Sequence, residues 1–449
     1  MKKKSSLWVF IFALVAVNGY LLYYHIYRAY RFDKLRERIL SSALSSFDET
    51  ALAGQALHIA IPGTTLNEQN KRILARVKPG GIIFFGFNLE NAEQTRRFTA
   101  DLQNYVESLG LPPLLISTDQ EGGYVKRVTD GVLQSPPPRD LGSVGDSGLC
   151  FSTGYYVSKG LAKQGINVFF APIVDINNNP ENPVIGLRSF GDTVDAVLRC
   201  ALPFEQGARA AFREGGALPV IKHFPGHGDT RIDSHWALPV IDKSLAALQA
   251  FELVPFREAV ERGTRAVMTA HILYPQVDRD APATLSQTWL TNILRGTLQF
   301  KGLIFTDAME MSAVSKHYGK LNPPVAALKA GADVLLYTSW QDEMLDAHQR
   351  IINEFSHPTQ QNLQNPSALQ RAVMNQLKAK LLYLKLEKYI SPEDAAWYRA
   401  YQNEIEKDAP KLQVHYKEEA LKEKLKTIRW SKPRARNQPQ WLAGQKNAR

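Results

Sequence analysis

The chain has 449 residues, 44 % hydrophobic and 22 % charged, with a formal net charge of +10. It is too long for one small domain, long enough for one barrel with extensions, and too apolar for disorder to be the default. The positive excess gathers at the C-terminal end, but no helix-turn-helix, zinc-finger or RNA-binding signature accompanies it, which argues against nucleic acid as a partner.

Lys2, Lys3 and Lys4 precede an uncharged run from Leu7 to Tyr24, broken only by Asn18 and Gly19. That run approaches the roughly 20 residues needed to cross a bilayer, and its basic flank sets the lysines inside. Residues 1–30 are therefore expected to be an uncleaved signal anchor, with the catalytic part outside the cytoplasm, periplasmic or at the cell surface. No cysteine lies nearby, so lipid attachment there is excluded. Residues 31–50 read as a helical linker.

From 51 to 385 apolar runs of strand length alternate with helical segments. The runs are 57–61, 82–86, 113–117, 168–174, 217–221, 265–270, 302–306 and 333–337. Helices are expected over 91–109 (capped by Asn91), 192–214 (Asp192), 244–262 (Ser244), 286–298 and 323–331. Eight such units predict an α/β fold, a (β/α)₈ TIM-type barrel; a doubly wound sheet also alternates, but no G-x-G-x-x-G follows the first strand. Cys150 and Cys200 fall in separate helical segments and read as buried free thiols rather than a bridge.

Residues 386–449 are expected to form a helical extension, 392–407 and 416–428, and a basic tail. Ser391-Pro392-Glu393-Asp394 is a good helix start. No acid follows Glu423, while Lys424, Lys426, Arg429, Lys432, Arg434, Arg436, Lys446 and Arg449 do. Such a tail is either solvated or rests on an anionic surface.

In a barrel, chemistry gathers where strands end. Asp119, Asp175, Lys222 with His223, His271 and Asp307 each follow an apolar run, which points to a shared mouth. The densest stretch is Lys222-His223-Phe224-Pro225-Gly226-His227-Gly228-Asp229-Thr230, continuing to Asp233-Ser234-His235. Gly226 and Gly228 read as hinges. Asp233 and His235 project to one side of an extended chain, so the acid can hold the imidazole and keep it charged for protonating a leaving group. Asp307, ending Gly302-Leu303-Ile304-Phe305-Thr306-Asp307, is a carboxylate suited to a nucleophile, with a helix N-cap as the alternative. Asp119-Gln120-Glu121-Gly122-Gly123 suggests a tight turn where ligand meets backbone, and Arg127 and Arg188 are fixed charges on nearby loops. His223, His227, Asp229 and His235 offer a metal alternative, but Pro225 and Gly226 disfavour the helix on which His-x-x-x-His binds best. No metal or other cofactor is expected.

These blocks resemble glycoside hydrolase family 3, in its β-N-acetylhexosaminidase branch. The signature is Lys222 to Thr230 with Asp233-Ser234-His235; Asp119 to Arg127, Asn182 to Gly191 and Phe305-Thr306-Asp307 match the other blocks in order. The resemblance implies a barrel that removes non-reducing terminal β-linked N-acetylglucosamine, with peptidoglycan fragments as the typical substrate. It implies Asp307 as nucleophile, His235 as acid/base on a mobile loop and Asp233 as its orienting partner. Asp119, Arg127, Arg188, Lys222 and His223 match sugar-binding positions. Tyr124 departs from the pattern, standing where the family often has arginine. The competing readings are a metal-dependent barrel hydrolase and a catalytically inactive wall-glycan-binding protein.

Overall fold

The computed structural model describes residues 2–233, 237–315, 317–319, 322–340, 342–356, 366–381, 386–408 and 413–432, and for 2–17, 19–22, 315 and 403–408 the backbone alone. By contact the chain forms two compact units, 1–46 with 384–410, and 47–383 with 411–449.

The larger unit is built on a closed ring of parallel strands. In chain order they are β1 (Leu57–Ala60), β2 (Gly81–Phe84), β3 (Leu115–Thr118), β6 (Val168–Phe169), β7 (Leu218–Pro219) running on into β8 (Ile221–Phe224), β9 (Ala266–Thr269), β10 (Leu303–Phe305) and β11 (Leu335–Tyr337). A short antiparallel hairpin, β4 (Gln120–Gly122) and β5 (Val125–Lys126), hangs from the end of β3. Each strand pairs with the next, β11 pairs back onto β1, and a bridge from Phe305 to Val334 joins β10 to β11. Every predicted apolar run thus contributes a strand. These runs are near-continuously apolar because helices cover the outside while side chains fill the inside. Ala60, Ile83, Leu115, Val168, Val220, Met268, Phe305 and Leu336 meet in that interior.

The helices follow the predicted order with local differences. Asn91 caps Ala92–Ser108 by accepting from the Glu93 and Gln94 amides. The cap of Val194–Arg213 is Thr193 instead of Asp192, which pairs with Arg139 at 3.4 Å. The single helix expected over 244–262 starts at Ser244 but breaks after Ala250 and resumes at Val254, with Pro255 in its first turn.

The expectation of free thiols is corrected: Cys150 and Cys200 form a disulfide, with Cα atoms 5.4 Å apart. The reason lies in how Ser147–Ala162 and Val194–Arg213 pack. A Cβ on Gly154 would sit 2.0 Å from the Phe204 carbonyl oxygen, and one on Gly207 would sit 1.9 Å from that of Phe151. Backbones in such contact bring facing side chains within disulfide reach.

The smaller unit pairs the helix Lys2–Ser45 with Pro392–Asp408. Arg31 binds Asp394 at 2.8 Å, and Phe32 stacks on Tyr398 with ring centroids 4.3 Å apart. The side chains of the expected anchor, Leu7–Tyr24, lie almost wholly outside the described residues. Among the described residues no helix is long and apolar enough to cross a membrane.

The segment 413–432 belongs to the barrel unit. Its helix Glu418–Lys426 buries Leu421 and Leu425. Tyr416 and Lys424 both reach the Asp146 carboxylate, at 2.6 and 2.7 Å. The Ser431 amide donates to Asp140 at 2.7 Å. The expected basic tail is therefore fixed to the barrel as far as Lys432; residues 433–449 lie outside the described residues.

Candidate active site

A pocket of about 190 Å³ opens at the C-terminal ends of the strands. Asp119, Arg127, Arg188, Lys222, His223 and Asp307 all line it, so six of the eight predicted site residues share one cavity. Asp233 is described but is not among the lining residues, and His235 lies outside the described residues, as do Ser234 and Trp236.

The pocket floor is a cluster of buried charges. Glu121, on the β4 strand, is almost fully buried and receives Arg188 through two hydrogen bonds of 2.8 Å. Lys222 reaches the same carboxylate at 2.6 Å and Asp119 at 2.9 Å. Arg127 stands 3.5 Å from the other oxygen of Asp119. Burial alone would raise the Glu121 pKa; the Arg188 and Lys222 charges outweigh it and hold the carboxyl well below the usual range. Burial likewise opposes the charge on Lys222, and Asp119 and Glu121 together push its pKa up instead. A two-cation grip on one buried carboxylate fixes the side chains that face the ligand.

The hairpin supplies this geometry through Gly122 and Gly123, at φ +101° and +57°. A Cβ at Gly122 would meet Ser135 Oγ at 2.2 Å, so the tight turn read from the sequence admits glycine alone.

A second network sets the histidines. Asp175, wholly buried, accepts the backbone amides of His223 and His227, at 3.1 and 2.8 Å, and the His223 ring at 2.7 Å. Burial would raise the Asp175 pKa, yet these partners, His223 first, hold it below the ordinary value. An ionised carboxylate only accepts, so Nδ1 of His223 carries the hydrogen. His227 also lines the pocket; burial, helped by His223, depresses its pKa to about 4, and its Nδ1 meets Thr230 Oγ1 at 2.9 Å.

Asp307 follows β10 and is partly buried. Its Oδ1 accepts the Ala308 amide at 2.8 Å. His271 stands behind it, with Nε2 donating to the Ala308 carbonyl at 2.9 Å and Nδ1 beside Thr284 Oγ1 at 2.8 Å. His271 thus supports the turn that carries Asp307 and is not among the pocket-lining residues.

Two expectations about this region change. Lys222 and His223 lie within β8, not beyond a strand. Gly228 is not a hinge: a Cβ there would stand 1.6 Å from the Ile176 carbonyl oxygen, and Asn182 donates to the Gly228 carbonyl at 3.0 Å. The chain is held as far as Thr230, whose hydroxyl Asn182 also reaches, at 3.2 Å. Arg231 and Ile232 beyond it are exposed.

Sequence reasoning gave Glu121 no role of its own, placed Asp175 at the mouth without a role, and offered His227 only as a possible metal ligand. Signals existed: Glu121 follows Asp119 at i+2, on the same side of an extended chain, and Asp175 shared the strand-end pattern. Among the described residues no group of three or more His, Cys, Asp or Glu side chains is placed to hold a metal ion.

Residues 51–371 match the Glycosyl hydrolase family 3 N terminal domain. The chain is 38 % identical over 291 residues to a Beta-hexosaminidase of Chromobacterium violaceum, covering 64 % of this chain and 79 % of that protein. It is 37 % identical over 284 residues to a Beta-hexosaminidase of Neisseria gonorrhoeae, covering 62 % and 76 %. Its fold resembles a glycoside hydrolase family 3 β-N-acetylglucosaminidase from Paenibacillus, at a TM-score of 0.70 and 35 % identity, over 79 % of this chain and 68 % of that one. It also resembles NagZ from Neisseria gonorrhoeae in complex with N-trifluoroacetyl-D-glucosamine, at 0.58 and 31 %, over 78 % and 98 %.

Proposed function

The chain belongs to glycosyl hydrolase family 3, and from that premise we propose that it is a retaining exo-β-N-acetylglucosaminidase, releasing terminal β-linked N-acetylglucosamine from peptidoglycan fragments or related glycans. The observation that carries this reading is Asp307 lining one small pocket with Asp119, Arg127, Arg188, Lys222 and His223. A cavity of about 190 Å³ suits a single sugar ring, which favours an end unit over a chain interior. The charged floor offers donors and acceptors at fixed positions, the arrangement that selects among hydroxylated substrates.

Asp307 attacks the anomeric carbon as a carboxylate, forming a C–O bond to the enzyme as the glycosidic C–O bond breaks. His235, held charged by Asp233, gives its proton to the departing oxygen. Water then attacks the same carbon, neutral His235 takes the water's proton, and Asp307 is released. The usual retaining pair is two carboxyl groups; here an imidazole replaces one. Thr230 is held against His227 in the pocket wall. Five residues span at most about 18 Å, so a loop leaving Thr230 has the length to bring His235 over the sugar.

An activated fluorosugar of N-acetylglucosamine should label the peptide containing Asp307, and Asp307→Ala should abolish turnover. A label elsewhere, or surviving turnover, removes Asp307 from the role. His235→Ala should slow a natural disaccharide far more than an aryl glycoside with a good leaving group, since acid catalysis is worth about 10²–10⁴-fold. Equal slowing of both rules out His235 as the acid.

The same reading extends to location. The segment 7–24 anchors the chain in a membrane with the barrel on the extracytoplasmic side. The Cys150–Cys200 disulfide supports an oxidising compartment.

A further inference from the structure

Beside the sugar pocket lies a second, larger cavity of about 580 Å³. The two share Val125, Val184 and Arg188, so they adjoin. One wall of the larger cavity comes from outside the family match: Ser431 and Lys432, on the segment that follows the helix Glu418–Lys426. That segment is held in place. The Ser431 amide and hydroxyl both donate to Asp140, and Tyr124 donates to the Ser431 carbonyl at 3.0 Å. Trp430 sits edge-on to Tyr124, with centroids 6.1 Å apart, and under the Lys126 ammonium. Tyr124, the departure from the family pattern, is thus the residue that receives the segment.

The lining has a definite chemistry. Arg139, Arg188 and Lys432 bring three positive charges, and Asp192 is the one acid among the described lining residues. Asp192 answers Arg139 and Glu121 answers Arg188, so Lys432 is the charge this segment adds. The Asn178 side-chain oxygen is buried, with no hydrogen-bond partner among the described residues. A buried acceptor of that kind costs free energy, and the residue that carries it lines the cavity. The rest of the wall mixes Tyr124, Asn177 and Asn182 with prolines and aliphatic side chains such as Pro180 and Leu187.

Position says which end of the substrate enters. The loop carrying Asn178 also carries Asn182, which donates to the carbonyls of His227 and Gly228 and to Thr230 Oγ1. Thr230 is where the loop bearing His235 begins. A pocket sized for one sugar takes the terminal unit, so the cavity that adjoins it is where the leaving group sits.

We propose that residues 413–432 complete an aglycone subsite and that Lys432 makes it favour a carboxylate-bearing sugar over a neutral one. The proposal rests on the glycosidase reading above and adds the sequence element and the charge that select the leaving group.

The test compares two disaccharides on the full-length protein: N-acetylglucosaminyl-β-1,4-N-acetylmuramic acid, which carries a carboxylate on the aglycone, and N,N′-diacetylchitobiose, which does not. Lys432→Glu should lower kcat/KM for the anionic disaccharide about fivefold relative to the neutral one, the size of a charge reversal in a partly solvated site. The effect should shrink at 0.5 M salt, and Lys432→Arg should keep the preference. An unchanged ratio, or equal losses on both disaccharides, overturns the subsite. Hydrolysis of an aryl β-N-acetylglucosaminide by the unsubstituted protein separates the two readings: without it the glycosidase reading falls and takes the subsite with it, while with it a flat ratio counts against the subsite alone.

Discussion

Glu121 is the most exacting test of the charged floor. Glu121→Gln keeps the shape and removes the charge. The carboxylate now accepts three contacts, two from Arg188 at 2.8 Å and one from Lys222 at 2.6 Å. Hydrogen bonds to charged groups contribute about 1.5–3 kcal/mol each, so their gross sum is roughly 5–9 kcal/mol. The amide oxygen retains part of that, but the amide nitrogen repels whichever cation it faces. A loss of about 3–5 kcal/mol follows, the range seen when one partner of a buried pair is removed. Denaturant unfolding at pH 7 measures it. Since Lys222 and Arg188 line the sugar pocket, KM should also rise at least tenfold. The sign with pH is a second readout. The folded pKa of Glu121 is depressed, so its stabilisation is present above about pH 4.5, the unfolded value, and is lost as pH falls below it. The variant should therefore differ most from the parent at neutral pH and converge with it in acid. A stability change under 1 kcal/mol with KM unchanged would refute the account of the floor.

The disulfide closes a loop of 50 residues, for which chain entropy gives about 4 kcal/mol. Cys150→Ala with Cys200→Ala should lose about that much in denaturant unfolding, and an unchanged midpoint would refute it. In fractionated cells the chain should sediment with membranes, with both cysteines resistant to alkylation; a soluble chain with reactive thiols would refute the proposed location. His58 and His227 are buried, and burial depresses their pKa values to about 3 and about 4. The unfolded chain takes up protons below about pH 6.5 that these two refuse in the fold, so stability falls as pH drops. Linkage gives a loss of about 2–3 kcal/mol between pH 7.5 and 5.5, and His227→Asn should roughly halve it. A flat stability across that interval would show that both rings accept protons in the folded state.

The barrel was legible because burial on both faces of a strand leaves an uninterrupted apolar run, and nothing else in a chain of this kind looks like it. Strand-end placement then located Asp119, Asp175 and Asp307 by topology alone. What the sequence hid was pairing across distance. Cys150 and Cys200 are joined because Gly154 and Gly207 let two helices touch at the backbone, and no periodicity announces such contact. Glu121 was overlooked because its partners Arg188 and Lys222 are 67 and about 100 residues away in sequence. The docking of Ser431 on Asp140 and Tyr124 was hidden by composition, since a basic segment reads the same whether solvated or bound.

The pocket also shows how a barrel can hold so many buried charges without losing its fold. Each carboxylate of the floor faces at least one cation: Glu121 faces Arg188 and Lys222, and Asp119 faces Lys222 and Arg127. The charges therefore satisfy one another before any ligand arrives, and a sugar displaces water without stranding a charge. Asp307 follows a different strand and accepts a hydrogen bond from the Ala308 amide. That separation matters for chemistry. A carboxylate clamped as Glu121 is, by two cations at under 3 Å, would be a poor nucleophile. Neighbouring His227 is buried and stays uncharged at neutral pH. The fold thus commits Glu121 and Asp119 to the cations of the floor, which leaves neither suited to attack.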